Sequence, residues 1–429
     1  MKDFFERILQ FANKRKEVIE NFSYLSVLQI ILLLAPLITY PYLVKVLGME
    51  LYGLVVSAQM LMGYAGIVIN CGTNEVCAKH VSINRDNPKV LSEIVSSVMI
   101  IRGFMAIVCL GVYMLVVYLI PAYREYLLLF LLTYGMLFQD VLFPQYFFQG
   151  IEKLKYPTLL SVLIKVIFIG AIFVVIRQKS DYIYVPLLYM LGYSISSAIG
   201  LYLVIGKMGV KLIIPTRERI KSYFYDAAPL LATDVVCTIK DKFNYFFIGT
   251  SIGMAEVTIY DLGIRLNGLL AKPFIILQTV MFPRLAKSRN FASVVRLIML
   301  CFSISVIMCV VLNIFLPWVV EFFLHQQVDL LPIRVLSLAP VILSISGVLA
   351  TSFMVAFGYN KYLFYSIIVT TIVYIACIAY VYLAKTSPGL YTFVFIALIS
   401  YLTELLYRLF ATRRILKQKN NHDIITTVV

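Results

Sequence analysis

Residues 293–320 read SVVRLIMLCFSISVIMCVVLNIFLPWVV, a run with a single charged side chain near its beginning. Since a bilayer core is about 30 Å thick, an α-helix needs about 20 apolar residues to cross it. The alternation of apolar and polar residues that is typical of an outer-membrane barrel strand does not occur in 298–312. The run therefore predicts a transmembrane helix.

Similar runs recur throughout the chain, which has 429 residues, 61% of them hydrophobic and only 14% charged. This composition excludes a soluble protein with one or two packed cores. The hydropathy pattern predicts an all-α, polytopic membrane protein with about twelve transmembrane helices. The predicted spans lie near 23–45, 52–74, 91–119, 126–148, 157–176, 182–206, 227–250, 257–281, 293–320, 333–357, 362–384 and 389–409.

The distribution of charge predicts the topology and the domains. The longest predicted loop, 207–226, carries five basic residues and separates six predicted spans from six. Most Lys and Arg fall in segments predicted on the same side of the membrane as this loop, so both termini are expected in the cytoplasm. The predicted domains are an amphipathic interfacial segment (1–22), an N-lobe (23–206), a basic cytoplasmic linker (207–226), a C-lobe (227–413) and a cytoplasmic tail (414–429).

Three short motifs recur in order between the two halves, at offsets of roughly 205 to 208 residues. Such a repeat predicts two six-helix lobes with the same topology, related by a pseudo-two-fold axis along the membrane normal. It also predicts that Gly150 and Gly358 are equivalent. The motifs are Leu47-Gly48-Met49 with Ile252-Gly253-Met254, Ala78-Lys79 with Ala286-Lys287, and Phe148-x-Gly150-x-x-Lys153 with Ala356-x-Gly358-x-x-Lys361.

Ionisable side chains lie deep in the seventh and eighth predicted spans, where each costs about 3 kcal/mol on insertion. A surplus of buried cations is costly unless water or an anionic ligand compensates it, so the pattern predicts a cationic cavity between the lobes that suits phosphate or pyrophosphate. The alternative is that these charges only pair with one another, since Asp261 precedes Arg265 by four residues, the favourable order. The cations are Lys240, Lys242, Arg265 and Lys272, and the anions are Asp234, Asp241 and Asp261.

The first half adds Arg102 and Lys165, which either line the same cavity or extend to lipid headgroups. Gln139 and Asp140 interrupt the fourth span and are predicted to be polar cavity residues. Coupling to H+ or Na+ is an open alternative, for which the candidate carriers are Asp140, Asp234, Asp241 and Glu404.

Other chemistry is not indicated. The three His are far apart, the seven Cys lack ligand spacing, and no Gly-rich loop ends in Gly-Lys-Ser/Thr. No metal, cofactor or catalytic centre is therefore expected. The net charge of +15 is explained by topology and anionic lipid headgroups, without nucleic acid.

The segment FPQYFFQGIEKLKY, residues 143–156, resembles the close of the fourth span in Wzx-type polysaccharide flippases. These belong to a superfamily with multidrug antiporters and the peptidoglycan-precursor flippase. The resemblance implies two six-helix lobes around a central cavity, in a bacterial inner membrane. It also implies alternating-access transport of an undecaprenyl-pyrophosphate-linked repeat unit for O-antigen, lipopolysaccharide or capsule assembly. It also implies a polymerase and a chain-length regulator as partners. Further matches are Pro41-Tyr42-Leu43, Leu47-Gly48, Tyr52-Gly53, Gly253, Tyr260 and Phe282-Pro283-Arg284.

Two alternatives stay open. A multidrug antiporter of the same superfamily would favour an acidic cavity for organic cations, whereas the surplus here is basic. A membrane polysaccharide polymerase or ligase would need a substantial outer loop, and every predicted outer loop is short. A transporter rather than an enzyme is therefore expected.

Overall fold

The computed structural model describes residues 37–153, 155–384 and 387–428. The predicted amphipathic segment 1–22 and most of the first predicted span lie outside these residues. Within some helices only the backbone is described. The side chains that lie outside the description are those of 155–158, 161, 165, 232–233, 236–237, 239–241 and 419–428.

The described residues are helical, with no strand among them, which confirms the all-α prediction. The chain forms two compact units, Met1–Val235 and Val236–Val429. The first helices are α1 (37–70), α2 (Thr73–Ile83), α3 (Pro88–Leu119), α4 (Pro121–Arg124), α5 (Leu127–Gly135), α6 (Phe138–Leu142), α7 (Gln145–Gly150), α8 (Lys155–Val175) and α9 (Tyr184–Tyr202). They are followed by α10 (Arg217–Ser251), α11 (Met254–Ser288), α12 (Phe291–Leu324), α13 (Leu331–Leu336), α14 (Ala339–Val348), α15 (Asn360–Leu383) and α16 (Leu390–Val428). A 3₁₀ turn, Lys179–Ile183, and two π-helical stretches, Leu203–Lys207 and Leu349–Val355, complete the helical elements.

Nine helical stretches among the described residues are long and apolar enough to cross a membrane. One of them, Leu37–Ile83, contains parts of two predicted spans. The rings of Tyr40 and Tyr52 lie 4.7 Å apart, although twelve residues of straight helix would separate them by about 18 Å. The chain therefore reverses between them, at Gly48, where φ is +81°, so α1 consists of two helical segments, one before and one after Gly48.

The two predicted spans missing from that group also coincide with helices. The apolar part of α8, Val162–Val175, is shorter than the other spans. Helix α10 has 35 residues, but its central charges lower its hydropathy. Charged residues inside a membrane-spanning helix are costly and usually functional, so these charges make α10 a candidate functional element.

The fourth and tenth predicted spans are both broken rather than continuous. The fourth is divided into α5, α6 and α7, and Phe143 is extended immediately before Pro144, as the residue before a proline prefers to be. The tenth is divided into α13, α14 and the second π-helical stretch. Such irregular backbone is common at functional sites in helices.

The glycines of the predicted repeat motifs differ in backbone conformation. Gly48 and Gly253 both have positive φ, +81° and +156°, at the turn between consecutive helices. Gly358 also has positive φ, +90°. Gly150 does not. It lies at the end of α7, where a Cβ would be 2.6 Å from Val81 Cβ, and the left-handed residue of that turn is Glu152. Gly150 and Gly358 therefore differ in backbone conformation, and the equivalence of their positions in the two halves stays a prediction.

Candidate functional site

The eighth predicted span, α11, carries a buried ion pair. Arg265 Nε donates to Asp261 Oδ2 at 2.6 Å, one helical turn away. The Asp261 side chain is 2% exposed and that of Arg265 is 24% exposed. The carboxylate is thus enclosed in protein, while part of the Arg265 side chain remains accessible.

A network of tyrosines and an asparagine supports this pair from the inside. Tyr245 of α10 donates its hydroxyl to Asp261 Oδ1 at 3.1 Å, and its ring meets that of Tyr260 edge to face at 5.2 Å. Asn244 donates to the Tyr260 hydroxyl at 2.9 Å and accepts from the Tyr374 hydroxyl of α15 at 2.8 Å. Buried networks in which each group has a partner fix side-chain geometry, so Asp261 holds the guanidinium in a defined orientation.

The other charged residues predicted in these two spans differ in burial and in contacts. Lys272 is half-buried, and no hydrogen bond or ion pair joins it to another of the described residues. Lys242 is half-buried and has an interaction partner. Asp234 is exposed on α10. The side chains of Lys240 and Asp241 lie outside the described residues, so the predicted cationic cavity stays a prediction.

Arg102 of α3 lies in a second polar centre, within the N-terminal unit. It is 2% exposed. Its guanidinium donates to Thr73 Oγ1 at 2.7 Å, to Asn70 Oδ1 at 3.0 Å and to Asn74 Oδ1 at 2.9 Å. It also donates to the Asp140 carbonyl at 2.8 Å. Arg102 therefore joins three helices and does not extend to lipid headgroups, because protein acceptors surround it.

A break in the second predicted span positions the hydrogen-bond partners of Arg102. Cys71 and Gly72 both adopt left-handed backbone, with φ of +50° and +64°. A Cβ at Gly72 would lie 2.7 Å from Leu230 Cβ, so the break also allows α10 to approach closely. The sequence signal for this centre is Asn70-Cys71-Gly72-Thr73-Asn74, a polar cluster inside an apolar helix, which the sequence analysis missed.

The other predicted polar residues of the N-terminal unit lie near this centre or outside the description. Asp140 offers its backbone carbonyl to Arg102, and its half-buried carboxylate faces Gly66, with Oδ2 3.7 Å from the position of a Cβ there. Gln139 is half-buried beside it. The side chain of Lys165 is not among those described.

Glu404 forms a third centre, with Arg408 one turn further along α16 as its partner. Arg408 Nη1 lies 2.6 Å from Glu404 Oε1. Arg408 also donates to Ser346 Oγ at 2.8 Å and to Ser366 Oγ at 3.2 Å. Arg408 is 6% exposed and lies near the end of the predicted last span, which α16 extends beyond residue 409. Among the described residues, no group of three His, Cys, Asp or Glu side chains suits a metal.

Comparisons of sequence identify relatives. A family model described as "Polysaccharide biosynthesis protein" matches residues 18–289. A putative O-antigen transporter of Escherichia coli (strain K12) is 29% identical over 161 residues, which are 38% of this chain and 39% of that protein. Another putative O-antigen transporter, from Shigella dysenteriae, is 22% identical over 340 residues, 77% of this chain and 84% of that protein. The chain thus matches less than half the length of the first relative and most of the second.

Comparisons of structure identify the fold. Lipid II flippase MurJ, in an inward closed conformation, aligns with a TM-score of 0.74 at 14% identity, covering 92% of this chain and 87% of that one. An inward-facing multidrug resistance transporter of the MATE family and MOP superfamily aligns with a TM-score of 0.69 at 16% identity, covering 90% and 96%. These likenesses confirm the predicted fold class.

Proposed function

The chain belongs to the polysaccharide biosynthesis protein family, and we propose that it is a flippase for undecaprenyl-pyrophosphate-linked oligosaccharide repeat units. The observation that carries the proposal is the family match over residues 18–289. The similarity to two putative O-antigen transporters supports it. A fold shared with a lipid II flippase and a multidrug transporter supports membrane transport rather than catalysis.

Arg265 is the residue that we assign to the pyrophosphate. Its partial exposure allows contact with a substrate, while Asp261 and Tyr245 fix its orientation from the buried side. Charge-assisted hydrogen bonds from Arg to phosphate are among the stronger polar contacts. Lys272, seven residues further along α11, is nearly two turns away on the same face and would add a second positive charge.

Transport by this protein would alternate between the two leaflets, from the cytoplasmic to the periplasmic face of the inner membrane, with both termini cytoplasmic. The polyprenyl tail would stay in lipid while the pyrophosphate and sugars cross. A polymerase and a chain-length regulator would act on the product. H+ or Na+ coupling, if it operates, would use Asp140, Asp234, Asp241 or Glu404, of which Glu404 is the least suited because Arg408 already neutralises it.

The direct test is translocation by the purified protein in sealed vesicles. Labelled undecaprenyl-pyrophosphate oligosaccharide is placed in the membrane, and its exposure to an impermeant glycosidase is followed. We expect faster loss of protection than in empty vesicles, with no new glycosidic bond. Equal rates would refute the flippase. New glycosidic bonds would favour a polymerase or ligase, and selective movement of an organic cation would favour an antiporter.

A further inference from the structure

The predicted basic linker is fixed on α3 rather than extending freely from the N-terminal unit. The backbone N–H of Lys211 donates to Ser92 Oγ at 3.0 Å, and that of Ile213 donates to Ser96 Oγ at 3.0 Å. Ser92 and Ser96 are four residues apart, so they lie on one face of α3. The extended segment 209–216 therefore follows that face and sets where α10 begins.

The first turns of α10 then form an apolar groove with α3. Its volume is about 320 Å³. Lys221 is the charged residue among the side chains that line it. The apolar lining includes Ile100, Phe104, Met105, Ile220 and Phe224.

The surface around the groove combines exposed apolar and basic side chains. Phe104 is 63% exposed and Ile214 is 96% exposed, which suits hydrocarbon rather than water. Lys221, which lines the groove with Phe104, is exposed, and so is Arg217, one turn before it on α10. Arg219 is paired with Glu93 at 3.6 Å, so it contributes less net charge.

We propose that this groove binds an anionic phospholipid of the bilayer, with an acyl chain between α3 and α10 and the phosphate group on Lys221. The apolar walls account for the chain, and the lysine accounts for a preference for net negative charge. Basic residues at a membrane surface attract anionic lipid in this way. This lipid site is independent of the proposed transport of an oligosaccharide.

The single tryptophan of the chain, Trp318, allows a test at the groove itself. In the full-length protein, Trp318→Phe removes the native fluorophore and Phe104→Trp places a new one at the groove. Quenching by brominated phosphatidylglycerol is compared with quenching by brominated phosphatidylcholine in mixed bilayers. We expect preferential quenching by phosphatidylglycerol, with a relative binding constant of about five, from the attraction of one lysine.

Two further variants and the native protein serve as controls. Lys221→Gln in the same background should abolish the preference, whereas Lys207→Gln, at another exposed lysine of the linker, should keep it. Trp318 in the native protein, exposed on α12, should show no preference. Ile100→Trp replaces Phe104→Trp if the latter does not insert.

Three results would overturn the proposal. One is equal quenching by the two lipids at the groove, and another is an equal effect of Lys207→Gln and Lys221→Gln. The third is relief of quenching by unbrominated undecaprenyl phosphate but not by unbrominated phosphatidylglycerol, which would assign the groove to a prenyl lipid.

Discussion

Replacing Arg102 by lysine separates a structural arginine from a substrate-binding one. The change keeps the positive charge but removes the planar fork that reaches acceptors on three helices. In the native protein these acceptors are Asn70, Thr73, Asn74 and the Asp140 carbonyl. A single ammonium group cannot reach all four acceptors at once, so we expect about two of them to lose their hydrogen-bond partner.

The expected loss of stability follows from those two contacts. Interhelical polar contacts in membrane proteins contribute about 0.6 kcal/mol on average and up to about 1.7 kcal/mol. Two of them give a reduction of about 1–3 kcal/mol in the free energy of unfolding for Arg102→Lys. Transport per folded molecule should stay at the native rate, because Arg102 is 2% exposed and has no surface to offer a substrate.

The assay is reversible unfolding in mixed detergent micelles, combined with transport normalised to folded protein. Arg124→Lys is the matched control, since Arg124 is exposed and its guanidinium contacts the ring and hydroxyl of Tyr118. It should change stability by less than about 0.5 kcal/mol. Native stability with reduced transport in Arg102→Lys would refute the structural role.

Two further predictions concern groups outside the Arg265 site. Glu404→Gln should cost about 3 kcal/mol because it leaves the buried Arg408 charge uncompensated, and combining it with Arg408→Met should recover most of that loss in the same unfolding assay. Tyr391 donates its hydroxyl to Asp329, in the loop between α12 and α13, and thereby lowers the pKa of that carboxyl. The associated stability should be present above the ordinary Asp pKa and lost as the pH falls through the lowered one, so a thermal-stability profile should lose this acid dependence in Tyr391→Phe.

Hydropathy predicted the helices because each span must satisfy its own backbone in lipid. The pairing of Asp261 with Arg265 could also be predicted from the sequence, since it depends only on local helix geometry. The pair joins one counted cation to one counted anion, so it leaves the predicted surplus of positive charge unchanged.

The other two centres depend on tertiary structure. Arg102 meets partners about thirty residues away only because left-handed backbone at Cys71 and Gly72 breaks the helix, and hydropathy does not detect such a break. Arg408 lies near the end of the last span as hydropathy predicts it, and a basic residue at such a position usually indicates the cytoplasmic side. Its buried acceptors Ser346 and Ser366 come from α14 and α15.

The measurement that tests the account most directly is the translocation rate of Arg265→Gln in vesicles that contain equal amounts of folded protein. We predict that labelled undecaprenyl-pyrophosphate oligosaccharide crosses at least about tenfold more slowly than in the native protein, which corresponds to about 1.4 kcal/mol. Arg265→Lys should lose less, and Arg296→Gln, at an exposed arginine of α12, should match the native rate. A native rate in Arg265→Gln, with Asp261→Asn equally active, would show that the pair is only structural and would contradict the assignment of Arg265 to the pyrophosphate.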